Sequence, residues 1–126
     1  MINKLSIQYK LLFILAASLL SFTQPHAHAV VTHTSLNVSK IAPNIANKVH
    51  LTFNSKVELD LSQIFLVSSG DKMQLVKASH SRTPGEVIVD IPPLSPGEYA
   101  LKLSIFAADG HLSEDLVRFF VTKKAE

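Results

Sequence analysis

Residues 98–106 carry the strictest pattern in the chain: Tyr99, Leu101, Leu103 and Ile105 alternate with positions that include Lys102 and Ser104. A two-residue period places these four apolar side chains on one face of an extended strand, whereas a helix would scatter them around its axis. Val49, Leu51 and Phe53 repeat the pattern against His50, Thr52 and Asn54. Shorter β-branched or apolar runs at 29–34, 64–67, 73–78, 87–91 and 116–121 complete a set of about seven strands. Turn residues separate them: a polar loop over 37–47, Ser68-Ser69-Gly70-Asp71, and Pro92-Pro93 followed by Leu94-Ser95-Pro96-Gly97. No segment with helical periodicity follows residue 28, so the fold class is all-β, a single antiparallel sandwich.

The first 27 residues differ in character. Lys4 and Lys10 precede an uncharged apolar run over 11–22, and small and polar residues follow. That order is the one a secretory signal peptide requires, and twelve residues fall short of the roughly 20 that span a bilayer as a helix. The expected organisation is a secretory signal peptide followed by one exported domain. Signal removal also changes the charge. The full chain has 12 basic and 10 acidic residues, and loss of Lys4 and Lys10 leaves ten of each. A neutral domain without a basic stripe is not a nucleic-acid binder. The absence of cysteine excludes a disulfide framework, thiolate metal sites and thiol catalysis.

The chemistry-bearing stretch is Ala107-Ala108-Asp109-Gly110-His111, between the strand at 98–106 and the last one. Gly110 permits a positive φ, which lets the Asp109 carboxylate and the His111 imidazole lean toward a common point. Such a pair suits a metal, yet two ligands make a weak site, and the other histidines, His26, His28 and His33, lie far upstream. Read alone, the tripeptide is more simply a hairpin turn with an exposed histidine. His50 and His80 read as solvated residues on a strand and a loop. No nucleophile elbow supports a hydrolase.

Four segments together resemble the CopC-like family of periplasmic copper-resistance proteins: His28-Ala29-Val30-Val31-Thr32-His33, Val49-His50-Leu51-Thr52-Phe53, Leu94-Ser95-Pro96-Gly97-Glu98-Tyr99 and Ala108-Asp109-Gly110-His111. The resemblance implies a Greek-key, immunoglobulin- or cupredoxin-like sandwich. It implies one Cu(II) per chain, bound by the amine and ring of an amino-terminal His28, by Asp109 and by His111. Nitrogen and oxygen donors in a tetragonal set suit Cu(II). The implied function is a monomeric copper carrier or buffer in copper resistance and homeostasis, with no turnover and an inner-membrane copper transporter of the CopD type as a candidate partner. The chain departs from the family pattern at Ser55, where a carboxylate is expected, and at Leu36, where proline is frequent. A methionine-rich Cu(I) loop is also missing, because Met73 is the sole methionine after signal removal.

Two alternatives stand beside this reading: a copper redox enzyme with a histidine brace, and a non-metal extracellular β-sandwich binding module. The cleavage position also divides two arguments. Ala27-His28-Ala29 satisfies the small-residue rule for a mature start at Val30, whereas the family resemblance requires a start at His28 and so implies a signal peptide at 1–27 and a periplasmic domain at 28–126.

Overall fold

The computed structural model describes residues 29–123. Eight strands form in chain order: β1 (Val31–Thr34), β2 (Asn47–Phe53), β3 (Gln63–Ser68), β4 (Lys72–Leu75), β5 (Ala78–His80), β6 (Glu86–Ile91), β7 (Gly97–Phe106) and β8 (Leu112–Val121). They make two four-stranded sheets, β1-β2-β6-β5 and β4-β3-β7-β8, and all strand pairs are antiparallel. The all-β antiparallel sandwich expected from the sequence is the observed architecture, with eight strands against about seven.

The core lies between the inner faces. Val49, Leu51 and Phe53 of β2 and Val87, Val89 and Ile91 of β6 face Leu101, Leu103 and Ile105 of β7, and all are buried. The periodicity of 98–106 is therefore the pleat of β7, whose inward row is buried at Leu101, Leu103 and Ile105 and half-buried at Tyr99, while Lys102 stays in solvent. Tyr99 stacks on Phe119 with ring centroids 5.8 Å apart, and its hydroxyl donates to the Ser95 carbonyl at 2.8 Å. That bond fastens the Pro96-Gly97 turn to the strand it starts.

Two elements differ from the sequence reading. The apolar run 73–78 is not one return strand. β4 ends at Leu75, Val76 donates to the Ile64 carbonyl and is buried, and the chain then crosses to the other sheet, where Ala78 pairs with Val89. The sequence does not reveal this handover, because only Val76 of the run is buried and β4 is exposed along its whole length. The last strand starts at Leu112 and not at Leu116, because pairing with β7 runs unbroken from Phe106↔Leu112 to Gly97↔Val121. Backbone pairing carries the polar residues Ser113, Glu114 and Asp115 into the strand. His80 ends β5 and is exposed, a strand position where a loop was expected.

Candidate metal site at the closed end of the β7–β8 hairpin

Residues 107–111 close the hairpin between the two ten-residue strands. Ala107 is buried, its N–H donates to the His111 carbonyl at 2.9 Å, and Gly110 N–H donates to the Ala107 carbonyl at 2.9 Å. Gly110 sits at φ +86°, the left-handed conformation that glycine adopts without steric cost. This turn directs Asp109 back on the chain. Asp109 Oδ1 accepts from His111 N–H at 3.0 Å, a side-chain-closed turn of the kind aspartate favours. Asp109 Oδ2 lies 3.2 Å from His111 Nδ1. Both side chains are partly exposed, 39% and 41%, although His111 Nδ1 itself is shielded from solvent.

The separation has a chemical meaning. Donors about 2.0–2.1 Å from one metal ion and at right angles to each other are about 2.9 Å apart, so Asp109 Oδ2 and His111 Nδ1 are spaced as adjacent ligands would be. No third His, Cys, Asp or Glu converges with them among the described residues. His28, the third ligand implied by resemblance, lies outside the described residues, as does His26.

The described chain nevertheless begins beside this turn. Ala29 is buried in the core, Val30 N–H donates to Asn54 Oδ1 at 2.8 Å, and Asn54 N–H donates to the Val30 carbonyl at 3.1 Å. Two residues on, the Lys56 carbonyl accepts Ala108 N–H at 2.9 Å, and Val57 bridges Ala107. Residues 54–57 therefore connect the chain start to the Asp109 turn at one end of the sandwich. Ser55 lies in this connecting segment, and its buried hydroxyl has no hydrogen-bond partner among the described residues. Sequence reading missed Asn54 as a positioning residue. Its partner is a backbone amide, which leaves no trace in residue type.

The remaining described histidines do not join this pair. His80 is exposed on β5. His33 stands on the outer face of the first sheet opposite Thr52. His50 is not simply solvated as expected: its Nδ1 lies 3.0 Å from Glu86 Oε1. The hydrogen bond with His50, followed by one with Ser81, holds the Glu86 carboxyl below the usual carboxylate range, and the charges of His50 and His33 add to the effect.

Residues 20–122 match the family described as the CopC domain. The chain belongs to the CopC domain family. Among solved structures, CopC from Methylosinus trichosporium OB3b is similar with 27% identity and a TM-score of 0.61, covering 79% of this chain and 98% of that one. PcoC, a methionine-rich copper resistance protein from Escherichia coli, shares the fold with 20% identity and a TM-score of 0.59, covering 76% of this chain and 100% of that one. No curated protein matches the chain. Within the CopC fold, the Asp109 turn and the chain start thus occupy one end of the same sandwich.

Proposed function

We propose that this CopC-family chain is a periplasmic Cu(II) carrier or buffer that binds one copper ion through the amine and ring of His28, through Asp109 and through His111. The observation that supports the reading is that Val30 and the Asp109 turn both hydrogen-bond to the segment 54–57, and that the turn holds two donors spaced as neighbouring ligands. An amino-terminal histidine supplies two nitrogens from one residue, and with one carboxylate and one further imidazole it completes a four-donor set suited to Cu(II).

Burial of Ala29 supports a mature start at His28, because a start at Val30 removes both a ligand and a core side chain. In the uncut precursor the same nitrogen is an amide, which must lose a proton before it binds metal, so the precursor binds more weakly. The Asp109 carboxylate fills a coordination position and favours Cu(II), which supports a carrier without turnover over a redox enzyme. Delivery to or from an inner-membrane transporter of the CopD type, by a monomer, completes the proposal.

The test is an intact mass of the secreted protein combined with a Cu(II) titration. A His28 start, one tight equivalent, loss of most affinity in His111→Ala and retention in His80→Ala are expected. Acid releases the metal, since protons compete for imidazole and amine. A Val30 start, or equal losses from the two substitutions, removes the assignment. Rapid oxygen consumption by the ascorbate-reduced protein overturns the carrier role.

A further inference from the structure

The outer face of the first sheet holds a second histidine arrangement that the proposed function does not use. His33 of β1, Thr52 of β2 and Glu86 of β6 stand in one row across three adjacent strands, since His33 pairs with Thr52 and Thr52 pairs with Glu86. His50 lies two residues from Thr52 on the central strand of that row, so it shares the face and is the diagonal neighbour of both His33 and Glu86. Diagonal neighbours on antiparallel strands have Cβ atoms about 7–8 Å apart or somewhat less. Two imidazoles at that distance both reach an ion bound about 2.0–2.1 Å from nitrogen. His33 is exposed and His50 is half-exposed, with a side-chain exposure of 45%, so the face is open to an incoming ion.

Glu86 gives the arrangement its direction. Its Oε1 lies 3.0 Å from His50 Nδ1, and an ionised carboxylate at that nitrogen fixes the proton on Nδ1 and leaves the Nε2 lone pair for a metal. The carboxylate–histidine–metal relay is a recurring way of orienting an imidazole ligand and raising its basicity. The backbone of His50 is fixed as well, with its N–H donated to Ser35 Oγ at 3.0 Å. The three groups do not converge as direct ligands, which agrees with Glu86 acting through His50 and not on the ion.

We propose that His33 and His50 form a second, weaker Cu(II) site on the outer face of the β1-β2-β6-β5 sheet, with Glu86 as the positioning carboxylate of His50 and water completing the coordination. The site shares no ligand with Asp109 and His111, so it stands or falls independently of the proposed function.

The experiment is a Cu(II) titration of the secreted protein, followed by calorimetry and by electron paramagnetic resonance at one and two equivalents. The second equivalent is expected to bind more weakly and to give a spectrum distinct from the first. It persists in His111→Ala and disappears in His33→Ala and in His50→Ala, while His80→Ala leaves it intact. Glu86→Gln is expected to weaken it about 10- to 100-fold and leave the first equivalent unchanged. Retention of the second equivalent in His50→Ala or His33→Ala overturns the site, and wild-type affinity in Glu86→Gln overturns the role of the carboxylate. Binding of a single equivalent by the wild-type protein, removed by His111→Ala, overturns this site and leaves Asp109 and His111 standing.

Discussion

Val30 and Asn54 exchange two hydrogen bonds, one through the asparagine side chain at 2.8 Å and one through its backbone at 3.1 Å. Asn54→Ala deletes the first and keeps the second. Loss of one such bond costs about 0.5–1.5 kcal/mol of stability, read by urea unfolding. Cu(II) affinity should fall too, although Asn54 donates nothing to the metal, because the chain start is then held less firmly. Wild-type affinity in Asn54→Ala would detach the chain start from the site.

Gly110→Ala separates conformational strain from crowding. A Cβ at this position meets nothing within 4 Å, yet φ is +86°. The cost is therefore the left-handed backbone alone, about 1–2 kcal/mol. Gly110→Asn should cost less, since asparagine visits that region more readily. Equal midpoints for glycine and alanine in chemical denaturation would mean that the turn relaxes.

Asp90 offers a pH test remote from any metal. Lys48 Nζ lies 2.6 Å from its carboxylate, and this hydrogen bond, against a small opposing desolvation, holds the Asp90 carboxyl below the usual range. Around the ordinary carboxylate pKa the unfolded chain binds the proton more readily than the folded one. The stabilisation is thus complete above that pKa and is lost as pH falls through the depressed folded value. Lys48→Met should return the Asp90 titration toward the ordinary range in a carbon-detected NMR titration. The effect on stability should be small, because both groups are solvated.

Ser55→Asp places a carboxylate where the chain has a buried hydroxyl without a partner among the described residues. If copper sits at the Asp109 turn, the new oxygen donor tightens Cu(II) binding, while the metal-free protein becomes less stable for want of a countercharge. Calorimetric titration and thermal unfolding read the two effects, and a variant that loses copper affinity would place the ion elsewhere.

Much of the fold was legible because its signals are local. The alternation at Val49 to Phe53 and Tyr99 to Ile105 names the inward residues, and all of them are buried but Tyr99, which is half-buried at the start of β7. The split between β4 and β5 was not legible, because the crossing at Val76 is decided by which sheet has an open edge, a property of the assembled sandwich. At the site, Asp109, Gly110 and His111 could be read as one turn with converging side chains, since three adjacent residues and one positive φ suffice. The bond from Asn54 to Val30 and the approach of Glu86 to His50 could not. Each joins residues far apart in the chain, and in the first case the partner is an amide that every residue but proline possesses.

The bonds from residues 54–57 to both Val30 and the Asp109 turn join segments far apart in the chain. Contacts of such wide sequence separation form only after the intervening chain is ordered, and domains dominated by them fold slowly. The metal centre proposed above draws on those separated segments, so it would form only once the domain has folded. Copper loading would then report that folding is complete.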